Sequence, residues 1–303
     1  MTARLLRAPA WLALVAFCLL VGISTAASAQ VTRHTYVTVV TDDDEPVTGL
    51  TPADFRLREG GRDREITSVE PATDIMRIAL MVEERLTPTQ GTRQGLFNFA
   101  QLMRGKAEMA LVVVGQSNRM AVPFTTDANA ILAGINELPL SQRMQNDHVP
   151  EGIGDMARNF QDERHPRPVM VIIALNALQA SAEQPYNVLN ELRDSNAQLH
   201  VVSIDTPQRA ADVVGAADLM EASGRQQVLG DGPRQSGGRQ WPVTALTAIP
   251  GAMESIANDL FSQYKITYVL PEGTDPSDRL DVRLNQGRDR RILAPTRIWD
   301  GEE

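Results

Sequence analysis

Cysteine and lysine are nearly missing from this chain. Its 303 residues include one cysteine, Cys18, and two lysines, Lys106 and Lys265. From residue 30 onward there is no thiol, which excludes disulfide staples and a cysteine nucleophile. A domain of this length can instead be stable through its hydrophobic core alone. With so little lysine, arginine carries nearly all positive charge, a pattern that reads as genome composition and points to no function. Positive charge is also in deficit, with 29 basic residues against 38 acidic ones and a net charge of −9. Such a surface is repelled by nucleic acid and by anionic lipid.

The first stretch, "MTARLLRAPAWLALVAFCLLVGISTAASAQ", reads as a secretory leader. Arg4 and Arg7 precede an apolar run from Ala8 to Ile23, and Ala27-Ser28-Ala29 forms an A-x-A cleavage site. The run is short of the roughly 20 residues a membrane span requires. The expectation is a leader over 1–29, a cut after Ala29, and a periplasmic or secreted chain that meets the membrane only during export. Cleavage removes two arginines and takes the charge from −9 to −11.

Residues 31–70 read as short strands and turns. Val37 and Val39 flank Thr38, and Phe55 and Leu57 alternate with Arg56 and Arg58, the period of a half-buried strand. From residue 76 uniformly apolar strands alternate with helices: "RIALMV", "TRQGLFNFAQLM", "MALVVVG", "MAVPF", then apolar positions 128, 131, 132, 135 and 138 on one helical face. Helices over 151–161, 185–196 and 249–263 continue the pattern around the strands "PVMVIIAL" and "LHVVSI". This order implies a mainly parallel sheet covered on both faces. The end returns to β with "YKITYVL", "RLDVRLN" and "RRILAPTRIW". The simplest architecture divides the chain into a β segment at 30–72, a doubly wound α/β domain at 73–263 and a second β segment at 264–303. In this reading the two flanks pair into a small β-sandwich.

Several stretches carry a resemblance. "VTVVTDDDEPVTGLTPADFRLREGGRDREITSVE" resembles the opening of von Willebrand factor A-related proteins of the acidobacterial type. "SGGRQW" at 236–241 is similar to the "T-G-G-R" strand entry late in that domain. "DLFSQYKITYVLP" is similar to the closing "L-x-x-Q-Y" segment. The resemblance implies a doubly wound sheet with helices on both faces, export from the cytoplasm, and a metal-ion-dependent adhesion site at the top of the sheet. That site takes D-x-S-x-S after the first strand, a threonine from a second loop and an aspartate after the fourth strand. Mg²⁺ there needs an octahedral oxygen shell.

This chain departs from the pattern in "RIALMVEERLTPT", residues 77–89. Glu83 stands at the first aspartate position, Arg85 at the first serine and Thr87 at the second. Glu151 falls near the second-loop threonine. Asn176 follows the fourth strand, where no carboxylate is offered. A permanent cation in the middle of this set argues against a divalent ion. The site thus reads as a degenerate adhesion site without metal or other cofactor. Arg85 pairs with Glu83 or Glu151 and offers its guanidinium to an acidic group on a partner.

Nothing supports catalysis. His148 and Glu151 form an isolated H-x-x-E pair. "GQSNR" at 115–119 has Arg119 where a nucleophile elbow ends in glycine. "GDGPRQSGGR" lacks a phosphate-cradling spacing. The expected function is therefore non-enzymatic: an exported module binding an unknown protein partner through Glu83, Arg85, Thr87, Glu151 and Asn176. The alternative is metal-dependent adhesion through a rearranged Mg²⁺ or Mn²⁺ site, with a periplasmic hydrolase a distant third.

Overall fold

A computed structural model describes residues 31–139, 148–176, 183–205, 216–287 and 289–298, with the backbone alone over 216–223. The expected leader lies outside the described residues. Two six-stranded sheets organise the chain.

The α/β sheet contains β4 (Met76–Glu83), β5 (Ala107–Val114), β6 (Arg119–Thr125), β7 (Pro168–Leu175), β8 (Gln198–Ile204) and β9 (Gln240–Val243). Their spatial order is β6-β5-β4-β7-β8-β9. All neighbours are parallel except β6, which runs antiparallel to β5 at the edge. That edge position suits Pro123, because a proline cannot donate to a second ladder.

Helices cover both faces, as the alternation of apolar segments requires. On one face lie α1 (Gln90–Leu102) and α2 (Ala128–Asn136). The other face carries α3 (Val149–Glu163), α4 (Pro185–Asp194) and α5 (Ala216–Ser236), and α6 (Ile249–Phe261) returns to the first. Strand β4 shows the division residue by residue. Ile78, Leu80 and Val82 pack with Phe99, Ile131 and Ile256, while Ala79 and Met81 pack with Ile153, Phe160 and Leu192. Each buried Leu, Ile or Phe contributes roughly 1.5–3 kcal/mol relative to exposure.

Helix α5 has no precursor in the sequence reading. It contains Gly224, Gly230, Gly232 and Pro233, residues that weaken helical propensity. Packing overrides them: Val228 and Leu229 are buried in the second core, and a Cβ on Gly232 would stand 2.8 Å from Leu199.

The two flanks contribute to one six-stranded sheet, where a small β-sandwich was expected. Strands β1 (Val31–Thr41), β2 (Phe55–Glu59), β3 (Arg62–Pro71), β10 (Tyr264–Leu270), β11 (Leu280–Leu284) and β12 (Arg290–Leu293) take the order β11-β2-β3-β10-β1-β12. The reason is that β10 inserts between β1 and β3 and joins the two flanks in one antiparallel ladder. An antiparallel bridge between Arg279 and Arg297 links the two edge regions, so the sheet curls around a third core of Val37, Phe55, Leu57, Ile266, Tyr268 and Val282.

A buried polar network joins the two sheets at the amino-terminal ends of β7 and β8. Arg167 donates to the carbonyls of Asp74 (3.0 Å) and Leu260 (2.7 Å) and to Gln263 Oε1 (2.8 Å). Gln263 Nε2 donates to Gln198 Oε1 at 2.6 Å, and Gln198 Nε2 donates to the Tyr36 carbonyl at 3.2 Å. The Arg167 side chain thereby satisfies backbone carbonyls on both connections between the domains, which would otherwise be buried without partners.

Candidate functional site

Numbered from β4, the α/β sheet has the doubly wound order 3-2-1-4-5-6. The chain reverses direction across the sheet between β4 and β7, and the crevice beyond the carboxyl ends of those two strands is where such folds bind ligands. Glu83 ends β4 and Leu175 ends β7.

The Glu83 carboxylate is completely buried in that crevice. Its Oε1 accepts from Arg85 Nη2 at 2.6 Å and from Arg85 Nε at 3.1 Å. Its Oε2 accepts from the Leu175 amide at 2.7 Å and from Arg225 Nη2 at 2.6 Å. The same Arg225 nitrogen donates to the Leu175 carbonyl at 2.7 Å, so one guanidinium bridges the ends of both central strands. Arg225 is itself buried to 1% exposure. A buried carboxylate is tolerated only with charge compensation and hydrogen bonds, and three residues supply both here.

Local backbone geometry brings Arg85 back over Glu83. Glu84–Leu86 forms a single 3-10 turn directly after the strand, with Leu86 anchored in the core. Thr87 is fully buried, and its hydroxyl lies 2.8 Å from the Glu84 carbonyl and 2.9 Å from the Pro139 carbonyl. It ties the turn to the segment after α2.

Polar groups surround this centre at the carboxyl ends of the strands. Gly115 follows β5, and a Cβ there would stand 2.6 Å from Glu84 Oε2, so the missing side chain makes room for the carboxylate. Glu151, in the first turn of α3, accepts from the Glu183 amide at 3.3 Å and lies 3.5 Å from His148 Nδ1. Asn176 donates its side-chain amide to Asp205 Oδ1 at 2.8 Å, and its backbone N–H bonds the Ile204 carbonyl.

All five residues singled out in the sequence therefore lie at one end of the sheet, but at different depths. Glu83 and Thr87 are buried and shape the site from beneath. Arg85, Glu151 and Asn176 are half-buried in the rim. Arg85 pairs with Glu83, one of the two partners expected for it. Sequence reasoning missed Arg225, because its segment carries no helical periodicity. The signal available was Glu83 itself, since a carboxylate at the end of a central strand needs a cation.

The donor set does not fit a divalent metal. Both oxygens of Glu83 accept from N–H groups, two guanidinium groups stand beside it, and the residue after β7, Asn176, offers an amide and no carboxylate. Hard cations need a shell of oxygens and are repelled by fixed positive charge. Among the described residues, no group of three or more His, Cys, Asp or Glu side chains is arranged to hold a metal ion.

No protein-family model matches the chain, and no curated protein matches it. Solved structures give weak matches. A von Willebrand factor type A protein from Catenulispora acidiphila is 8% identical with a TM-score of 0.44, over 92% of this chain and 76% of that one. The vWF domain of the type V pili tip protein Mfa5 from Porphyromonas gingivalis is 11% identical with a TM-score of 0.43, over 61% and 95%. An aerotolerance-related membrane protein from Bacteroides fragilis is 12% identical with a TM-score of 0.42, over 60% and 98%. The doubly wound reading of the central domain rests on its own strand order and layers.

Proposed function

We propose that this protein is an exported binding module with a degenerate metal-ion-dependent adhesion site. In this reading the top of its α/β sheet engages an acidic group of a partner protein without metal. The observation that carries this reading is the position of two arginines on the Glu83 carboxylate at the point where the sheet reverses direction. Fixed guanidinium charge takes the place a divalent cation would have: the Glu83 carboxylate alone faces two arginines, inside a rim that also holds Glu84, Glu151 and Asp205. Arg225 is sealed inside. The Arg85 side chain keeps 23% exposure, so it is the cation that meets the partner. A planar guanidinium suits a carboxylate geometrically and cannot be deprotonated at physiological pH. Export rests on the leader-like sequence at 1–29. Among the described residues no helix is long and apolar enough to cross a membrane.

The test combines metal titration with an arginine variant. After chelator treatment, calorimetry with Mg²⁺ and then Mn²⁺ is expected to show no saturable heat up to millimolar metal. Saturation near one ion per chain would overturn the metal-free reading and assign a rearranged adhesion site. Arg85→Ala is expected to abolish metal-independent capture of the envelope partner while the protein stays folded, because Glu83 keeps Arg225 and the Leu175 amide. Undiminished capture by that variant removes Arg85 from the binding role.

A further inference from the structure

A cluster of two carboxylates and two arginines sits where the last helix hands the chain over to the curled sheet. Helix α6 ends at Phe261, and only Ser262 and Gln263 separate it from β10. Asp259 lies in the last turn of that helix and is buried to 3% exposure. Its backbone carbonyl accepts from the Thr38 hydroxyl of β1 at 3.2 Å, which holds the helix end against the curled sheet. The carboxylate has no such anchor. Among the described residues Asp259 Oδ2 has no hydrogen-bond partner, and neither has the buried Arg239 Nη1, 3.8 Å away.

Arg239 stands at the entry to β9, where its backbone carbonyl accepts from the Val201 amide of β8 at 2.9 Å. That bond fixes the main chain, whereas the guanidinium lies among three groups. Nη2 is 2.5 Å from Asp44 Oδ1, in the turn after β1. The guanidinium carbon is 3.9 Å from the centre of the Trp241 ring, within cation–π range. Nη1 is the nitrogen beside Asp259. Arg291 of β12 also pairs with Asp44. Two carboxylates on different elements thus face one guanidinium, and Asp44 has a second arginine.

His200 is the remaining titratable group on this side. Val202 and Ile204 pack with Ile256 and Leu260, and strand alternation puts His200 on the same face of β8. Burial lowers its pKa to about 3, so it stays neutral at ordinary pH.

The gap between Asp259 and Arg239 is too long for a charge-assisted hydrogen bond, which spans roughly 2.7–2.9 Å. A neutral acid tolerates that gap far better than a buried anion does, because an unpaired buried charge is much the costlier of the two. Burial raises the Asp259 pKa to about 6, with Arg239 lowering it and Asp44 raising it. As pH rises through 6 the carboxyl loses its proton, and the nearest cation able to answer the new charge is Arg239.

We infer that Asp259 and Arg239 form a proton-controlled latch at the junction of the two sheets. Ionised Asp259 draws Nη1 into a direct salt bridge and fastens the end of α6 to the entry of β9. Protonated Asp259 gives the guanidinium up to Asp44, so the same arginine fastens β9 to the curled sheet. The 3.8 Å separation is the released form.

Trp241 reports the exchange, because its ring lies against the group that moves. Trp11→Phe/Trp299→Phe leaves it the only tryptophan. The fluorescence of that variant, titrated between about pH 4.5 and about pH 8, is expected to show one reversible transition centred near pH 6. Asp259→Asn has the size of the neutral acid and is expected to fold and to abolish the transition, while His200→Leu is expected to keep it. Asp44→Asn removes the competing carboxylate, whose charge raises the Asp259 pKa, and should move the midpoint to lower pH. The Asp259 carboxyl carbon resonance, followed by NMR over the same range, records the ionisation independently. Flat fluorescence would overturn the latch, and a resonance that still titrates would then mark a buried acid that ionises without moving its neighbour. A transition that survives Asp259→Asn, or a midpoint that Asp44→Asn leaves in place or raises, would overturn it as well.

Discussion

Arg225 and Glu83 are 142 positions apart in sequence, yet the arginine Nη2 lies 2.6 Å from the carboxylate Oε2, and both side chains are buried to 1% exposure or less. Removing Arg225 leaves the buried Glu83 carboxylate with Arg85 and the Leu175 amide alone. Arg225→Met should lower the unfolding free energy by about 1–3 kcal/mol. The double variant Glu83→Leu/Arg225→Met should lose less than either single variant, because both charges leave together. Urea unfolding of the three variants measures the cycle, and additive losses would show that the two residues do not act as a pair.

His200 gives the fold an acid-sensitive point. It is fully buried on β8, and neither ring nitrogen has a hydrogen-bond partner among the described residues. Burial, assisted by the nearby Arg239, lowers its pKa from 6.5 to about 3. A depressed pKa means that the unfolded chain takes up the proton first. The stability contribution is complete above pH 6.5 and is lost as pH falls from there towards 3. At pH 5 the cost is about 2 kcal/mol. Asp259 acts with the opposite sign: burial raises its pKa from 3.8 to about 6, so its contribution is complete below 3.8 and is lost as pH rises through 6. The difference between wild type and His200→Leu isolates the histidine. The variant should gain relative stability between pH 7 and pH 5, and a pH-independent difference would refute the assignment.

Gly238 lies where two backbones touch. A Cβ there would stand 2.0 Å from the Leu199 carbonyl oxygen, and the neighbouring Gly237 has φ +79°. Gly238→Ala must therefore displace β8 or the entry to β9, and should cost more than about 2 kcal/mol, within the range of severe packing and strain defects. A thermal midpoint within about 2 °C of wild type would show that the contact relaxes freely.

Arg167 couples the two sheets. Arg167→Met keeps the aliphatic stem but leaves the Asp74 and Leu260 carbonyls without their donor. The expected loss is about 2–4 kcal/mol, with amide exchange accelerating first at the junction residues Ala72 and Gln263. Uniform acceleration across both sheets would instead mean that the domains unfold as one unit regardless of this contact.

The α/β order was legible because β4, β5, β7 and β8 are apolar on both faces, and burial on both faces marks strands covered by helices. The position of the candidate site was legible for a related reason: Glu83 and Asn176 follow such strands, and strand ends fall at one edge of the sheet. Helix α5 and Arg225 were hidden. Three glycines and a proline erase the local helical signal, and only contact with Leu199 and the second core restores the helix. The flanks were legible as β segments, and their arrangement as one curled sheet depended on β10 entering between β1 and β3. Sequence determined which residues stand at the ends of the strands, because side-chain alternation and apolar runs are local properties. Only the tertiary structure decided that Glu83 is held between two arginines and that β10 enters between β1 and β3, because both depend on segments that are distant in the chain and meet through packing.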